Sequence, residues 1–269
     1  MASAQLVFAM IPGFYQSASG MIAQMDNYRV IAENLAASTV NGYRKNNASF
    51  ESYMNPSPPQ TGNTDTTSML GDRLYPTQHP VTRTVTDFSN GTVEQDYNPL
   101  HVALKGKGFF AIEIPDKQGT VYTRDGAFSI NAQNELVASN GWRVLGDDGS
   151  AIVLPKPNLP VMIHETGDVA QAGQNIGKIK IANFKEPEKE LAWVGGNHFK
   201  PVNPEAKPET NDPSTYNLMQ GYVEKSNVNV LQEMVSLVQA TRLYEANQKI
   251  LQAQDSSMDT VIRQVSSRV

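Results

Sequence analysis

Both ends of this 269-residue chain carry helical apolar stripes, and a turn-rich stretch lies between them. In the first stripe Ile11, Phe14, Ala18, Met21, Met25, Tyr28, Ala32 and Leu35 alternate steps of three and four. In the last, Val230, Leu237, Tyr244, Leu251, Met258 and Val265 recur every seven residues. A seven-residue repeat kept over several turns is the pattern of a coiled-coil seam rather than of a helix lying on its own globular core. Apolar or small residues flank each seam, Ile22 and Ile31 on the first, Leu231, Val238, Ala246, Ile250 and Ala253 on the last. A face that wide can serve more than one neighbouring helix. Two ends that meet in this way would carry the middle of the chain on a helical stalk, a shape suited to assembly.

The first helix is expected from near Gly13 to about Ala37, with Asn41-Gly42 closing it through left-handed backbone. Residues 54–80, dense in Pro, Thr and Ser, read as a linker or extended arm. From residue 81 the period changes to two. Residues 81–87, 102–104, 109–114, 121–124, 127–130, 135–138, 141–145, 151–154 and a pair within 176–184 read as short strands. Gly106-Lys107-Gly108 is a tight turn or bulge, and Asp125-Gly126 and Asp147-Asp148-Gly149 are hairpin turns. The last helix follows Ser226-Asn227, a plausible cap. The expected fold is mainly β with terminal α-helices. The discontinuous N- and C-terminal helices form a coiled-coil unit, and the centre is an all-β domain. The boundaries are 1–53 for the N-terminal helical part, 54–80 for the arm, 81–200 for the β domain, 201–219 for a return linker and 220–269 for the C-terminal helical part.

Little in the sequence points to catalysis. The absence of cysteine removes disulfides, thiol nucleophiles and zinc–thiolate sites. His79, His101, His164 and His198 never pair at the three- or four-residue spacing of a helical metal site, so no metal or cofactor is expected. Asp147-Asp148-Gly149-Ser150 lacks the alternating oxygen ligands and distal Glu of a calcium loop, and Gly106-Lys107-Gly108 lacks the spacing of a phosphate loop. A net charge of −5 leaves no basic footprint for nucleic acid. The N-terminus has no basic region ahead of its apolar run, so no secretory signal is read, and no stretch approaches the ~18 apolar residues of a spanning helix. A reading of a different class is an enzymatic or carbohydrate-binding β module on a helical stalk. It requires a concave site with clustered polar groups, and no such cluster stands out.

Several blocks, taken in order, resemble the axial rod and hook proteins of the bacterial flagellum. Phe14-Tyr15-Gln16-Ser17-Ala18-Ser19-Gly20-Met21 is similar to that family's opening helix, Asn34-Leu35-Ala36 to its Asn-Leu-Ala signature and Gly42-Tyr43-Arg44 to the Gly-Phe-Lys/Arg that follows. Residues 98–110 resemble its Gly-x-Gly-Phe-Phe block, and Tyr122-Thr123-Arg124-Asp125-Gly126-Ala127-Phe128 its Tyr-Thr-Arg-x-Gly-x-Phe block. Residues 220–229 are similar to its Glu-x-Ser-Asn-Val pattern, and Arg242-Leu243-Tyr244-Glu245 to its Arg-x-Tyr/Phe-Glu run. The chain departs from the family at Glu33 and Ala37, where Asn is frequent, and at His101, where Asp is. Its length suits a rod subunit better than the longer hook subunit, and the last helix leans towards the proximal over the distal type.

The resemblance implies a non-enzymatic structural subunit of the periplasmic rod. Such a subunit is exported without a cleaved signal and polymerises through its terminal helices into a helical tube that transmits torque to the hook. Its implied partners are copies of itself, other flagellar axial proteins and the flagellar export apparatus, with no nucleic acid, small-molecule substrate or embedding in a membrane. Assembly contacts are then expected at Phe14, Ala18, Met21, Met25 and Tyr28, and at Asn34 and Leu35 where the first stripe ends. They are also expected at Ser226, Asn227 and Val228 ahead of the last helix, and at Met234, Leu237, Tyr244, Leu251 and Met258 along it.

Overall fold

The structure is a computed structural model that describes residues 2–53, 79–114, 119–156, 159–203, 208 and 215–266. Residues 54–78 of the arm expected at 54–80 and most of the expected return linker lie outside those residues, as does the side chain of Phe14, while His79 and Pro80 already belong to a strand. The chain is mostly β, with one long helix at each end. Helix α1 (Ala2–Ala36) is followed by β1 (Asn46–Tyr53) and β2 (His79–Thr86), which pair in a two-stranded ladder. Helix α1 starts at Ala2 rather than near Gly13 and runs through Pro12. An interior proline costs about 3 kcal/mol, mainly one lost hydrogen bond and a clash with the preceding turn. The apolar, helix-favouring run from Leu6 to Ile11 continues the helix across it. Strand β1 was not legible, because Asn46-Asn47-Ala48-Ser49 carries no strand-forming residues.

The chain divides into two compact units, one of Met1–Glu33, Asn47–Val85 and Leu231–Val269, the other of Asn34–Asn46 and Thr86–Val230. In the first unit, α1 covers Ala23, Val30 and Ile31 while leaving Met25 56% and Tyr28 46% exposed. The covered stripe is therefore displaced from the expected one. The helix carries apolar residues on two sides, and spacing alone does not say which side is covered. The last helix, α3 (Val230–Ser266), buries Glu233 and Ala240 and half-buries Leu237, Tyr244, Asn247, Leu251, Gln254 and Met258, steps of three and four along one side.

The second unit is an antiparallel β domain. Its strands are β3 (Val93–Gln95), β4 (Val102–Gly106), β5 (Phe109–Ile114), β6 (Gly119–Thr123), β7 (Ser129–Ile130), β8 (Leu136–Val137), β9 (Arg143–Val144), β10 (Val161–Ile163), β11 (Asp168–Gln171), β12 (Gln174–Lys178), β13 (Ile181–Ala182), β14 (Leu191–Gly195), β15 (His198–Pro201), β16 (Tyr216–Gln220) and β17 (Tyr222–Glu224). A short helix, α2 (Pro187–Glu190), precedes β14. The largest sheet runs β14-β15-β6-β5-β9-β8-β7, with β13 also on β5. A three-stranded sheet runs β10-β11-β12, and β16 pairs with β4 and β17 with β3. Within the stretch read as a return linker, Tyr216–Gln220 is thus a strand, because its alternating Tyr216 and Leu218 turn into the core.

Strand β5 explains the core. Successive strand residues point to opposite faces. Phe110 and Ile112 enter a cluster with Leu104, Phe128, Leu136, Leu154, Ile179 and Leu218. Phe109 and Ala111 enter a second one with Tyr122, Phe184, Leu191 and Phe199. A strand buried on both faces reads as a continuous apolar run, which is what Phe-Phe-Ala-Ile is. Phe110 is fully buried, edge-on to Phe128 with ring centroids 5.1 Å apart. Phe110→Ala should destabilise this unit by about 3–5 kcal/mol. The check is urea unfolding followed by tryptophan fluorescence, since Trp142 and Trp193 both lie in this unit.

Candidate functional site

Within the second unit, the segment that leaves α1 and the segment that leads to α3 are tied together by a buried polar knot. At the end of α1, Ser38 donates through its backbone N (3.3 Å) and its Oγ (2.8 Å) to the Leu35 carbonyl, giving that otherwise unpaired acceptor a partner. Asn34, 1% exposed, then acts as a backbone substitute. Its Nδ2 donates to the Asn46 carbonyl at 2.7 Å and its Oδ1 accepts from the Asn46 backbone N at 2.9 Å. The Tyr43 hydroxyl also donates to Asn34 Oδ1 at 3.3 Å. Thr86 Oγ1 donates to Asn46 Oδ1 at 2.7 Å.

Asn227 does the same from the other side. Its Oδ1 accepts from the Lys45 backbone N at 2.7 Å, and its Nδ2 donates to the Asp87 and Ser89 carbonyls at 3.0 and 3.1 Å. The Lys45 carbonyl in turn accepts from the Asp87 N at 2.8 Å. Ser226 Oγ accepts from the Val228 N at 3.2 Å, a turn in the approach to α3.

Between the two asparagines lies a charge cluster. The Glu224 carboxylate, 1% exposed, accepts from Arg44 Nη2 at 2.7 Å and the Gly91 N at 2.9 Å through one oxygen. Its other oxygen accepts from Arg124 Nη1 at 3.4 Å. Arg124 also donates to the Leu104 and Gly106 carbonyls at 3.1 and 2.8 Å and lies over the Phe109 ring, 5.1 Å from its centroid. Burial pushes the Arg124 guanidinium down to about 10, with the Glu224 carboxylate opposing that shift and Arg44 adding to it. It stays charged at neutral pH. Two cations and one anion are thus enclosed together. Arg44 Nε and Nη1 and Arg124 Nε have no acceptor among the described residues, so Glu224 carries the compensation almost alone.

Two glycines let the backbones approach. A Cβ on Gly42 would lie 2.4 Å from the Asp125 N, and one on Gly91 would lie 1.9 Å from the Lys225 carbonyl. Gly42 has φ +66 and donates to the Glu224 carbonyl at 2.7 Å. Beside it, Asp125 accepts from Ser139 Oγ at 2.7 Å, Asn197 Nδ2 at 3.1 Å and the Ala127 N at 2.9 Å, while Asn197 Nδ2 also donates to the Asn41 carbonyl at 2.9 Å. Burial pushes His198 down, with Asp125 opposing, so this ring is neutral near pH 7.

Of the expected assembly residues, only Asn34, Leu35, Ser226, Asn227 and Val228 lie in this second unit with the knot. Leu237, Tyr244, Leu251 and Met258 lie on the covered side of α3, Ala18 and Met21 are half-buried on α1, and Met25, Tyr28 and Met234 stand open. Arg44, Arg124 and Glu224 were not singled out as site residues, although each sits inside a block that carried the family resemblance. In a cleft of about 460 Å³, burial pushes the Tyr216 hydroxyl up, and that hydroxyl donates to the Thr166 carbonyl at 3.1 Å.

Glu224→Gln should lower the stability of the second unit by about 3–5 kcal/mol, because two guanidiniums are left enclosed without their carboxylate. Asn227→Ala should cost about 1–3 kcal/mol through unpaired backbone groups. Both are read as shifts of the urea midpoint, and a smaller loss for Glu224→Gln than for Asn227→Ala would contradict the charge account.

The blocks that meet at the knot also place the chain among known proteins. Residues 219–264 match the C-terminal family of flagellar basal body rod FlgEFG proteins, and residues 103–171 match the D1 domain of the flagellar hook protein FlgE/F/G. The flagellar basal-body rod protein FlgG of Buchnera aphidicola subsp. Baizongia pistaciae is 31% identical over 93% of this chain and 98% of its own length. FlgG of Borreliella burgdorferi is 32% identical over 93% and 97%. FlgF of Mesorhizobium japonicum is 30% identical over 94% and 98%. Agreement at that level along nearly the whole of each chain shows common descent, and this chain belongs to the family of flagellar basal-body rod proteins, structural subunits of the flagellar basal body.

Proposed function

We propose that the chain polymerises with copies of itself and other axial proteins into a helical tube, using its terminal helices, and that the tube carries motor torque to the hook. The observation that carries this is the open apolar face of α3. Leu231, Met234, Val235 and Val238 are 76%, 48%, 58% and 52% exposed, all within the first turns of one helix. On α1, Ile22, Met25 and Tyr28 stand similarly open at 64%, 56% and 46%. Burying such side chains yields about 1.5–3 kcal/mol each, so a neighbour that covers four of them gains several kcal/mol per subunit. Contiguous exposed apolar surface of this kind marks an interaction site. Head-to-tail contacts between unlike faces give an open filament. The covered stripe with Leu237, Tyr244, Leu251 and Met258 serves the subunit's own helical unit. None of the helices, among the described residues, is long and apolar enough to cross a membrane. The subunit reaches the rod by export through the flagellar apparatus.

Within the family, the last helix leans towards the proximal type, while FlgG, the distal type, is the name that recurs among the relatives; identity does not separate the two, at 30–32% for FlgG relatives and 30% for the FlgF relative.

Val238→Asp should leave the unfolding midpoint of the second unit unchanged and abolish rod assembly and swimming. Leu237→Asp, one position round on the covered side, should in addition lower the helicity of the isolated subunit, measured by circular dichroism. Normal motility of Val238→Asp would contradict the assembly role of the open face.

A further inference from the structure

We propose that Asn140 is a self-modification site, at which the side-chain amide is lost to attack by the Gly141 backbone nitrogen with His198 as the acid–base group. It does not rest on the assembly reading above. Asn-Gly steps occur at Asn41-Gly42, Asn90-Gly91 and Asn140-Gly141. Such a step closes readily into a cyclic imide, because glycine brings no Cβ to obstruct the ring.

The fold separates the three steps. A Cβ on Gly42 or Gly91 would lie 2.4 or 1.9 Å from the backbone of another segment. Both N–H groups also donate to Glu224, Gly42 to its carbonyl at 2.7 Å and Gly91 to its carboxylate at 2.9 Å. Those two steps are fixed inside the knot. Asn140 is exposed, and a Cβ on Gly141 would meet nothing within 4 Å.

The turn between β8 and β9 arranges the reacting groups. The Ala138 N donates to the Trp142 carbonyl at 2.8 Å and the Gly141 N to the Ala138 carbonyl at 2.9 Å. Asn140 Oδ1 accepts from the Trp142 N at 3.0 Å. That bond folds the carboxamide back along the Asn140–Gly141 peptide, which carries the attacking nitrogen. At the other head of the amide, Nδ2 donates to His198 Nε2. The imidazole stands edge-on to Trp142, ring centroids 4.8 Å apart, and the charged group facing it is Asp125. Ser139 Oγ donates to that same carboxylate at 2.7 Å, which pins the turn. With Nε2 accepting, the ring proton sits on Nδ1, which is buried without a partner among the described residues. Nε2 is thus a base held against the nitrogen that must leave.

The Gly141 nitrogen bonds to Asn140 Cγ. The proton it sheds passes through solvent at this open turn to His198 Nε2, which gives it to Nδ2. The Cγ–Nδ2 bond breaks, ammonia leaves and a cyclic imide remains. Water then opens the imide. Attack at Cγ gives aspartate, and attack at the main-chain carbon gives isoaspartate, with an extra methylene in the backbone of the turn. Either product sets a carboxylate against His198 where a neutral amide stood.

The test incubates the purified full chain at neutral pH and follows deamidation at each step by peptide mass mapping. Conversion at Asn140 should outrun that at Asn41 and Asn90 by at least about tenfold, since only there are the groups both placed and open. His198→Gln should slow it by at least about tenfold, within the range of a placed acid–base group. The wild-type rate should level off at neutral pH, where the ring is already unprotonated, while that of His198→Gln keeps rising with hydroxide. Conversion at Asn140 no faster than at the other two steps overturns the proposal. So does an undiminished rate in His198→Gln, or a wild-type rate that climbs steadily through neutral pH.

Discussion

The enclosure of the Glu224 carboxylate between Arg44 and Arg124 is the interaction on which the second unit depends. The three groups come from three distant parts of the sequence, just after α1, the turn after β6 and the end of β17. An intact buried ion pair adds little net stability, because desolvation offsets the attraction. A broken one leaves an uncompensated charge and is severely destabilising. The cluster therefore works as a condition on the fold, allowing the β domain to close only when all three segments are in place. Asn34 and Asn227 extend the condition to the backbone, each engaging both heads of its amide. The residues that leave α1 and those that lead to α3 are thereby held in one rigid body.

Much of the architecture was legible in the sequence, for physical reasons that differ by element. The long helices announced themselves through three- and four-residue spacing, and β5 through an apolar run that only a doubly buried strand needs. Strand β1 was hidden because its first half is Asn, Asn, Ala and Ser, and Phe50 and Tyr53 in its second half are three apart rather than alternating. The start of α1 was misplaced because Pro12 reads as a boundary, whereas a helix with enough favourable turns on both sides runs through it. Which apolar side of α1 is covered was also beyond the pattern, since the three-and-four stripe runs through Met25 and Tyr28 while the buried Ala23, Val30 and Ile31 lie beside it.

The site was legible only in part. Asn34 and Asn227 stood in blocks shared with the rod family, but their joint role is a matter of contacts between residues 12 and 182 positions apart. Arg44, Arg124 and Glu224 looked like ordinary charged residues in strands and turns. No local spacing distinguishes a buried arginine from a solvated one. The signal was their place in those same blocks, and only the fold shows that the blocks converge on one point.

A subunit of this kind separates two tasks. The β domain is closed by internal polar compensation and should be complete in the free subunit. The helical unit keeps apolar side chains exposed, among them Ile22, Met25, Leu231 and Val235, and on the proposed reading neighbouring subunits cover them. Hydrogen exchange on the full chain, compared between free subunit and isolated rods, tests that division most directly. The account predicts that amides of residues 34–46 and 222–227 are protected equally in both states, while those of 18–33 and 231–258 gain strong protection only in the rod. Full protection of the helices in the free subunit, unchanged on assembly, would contradict it.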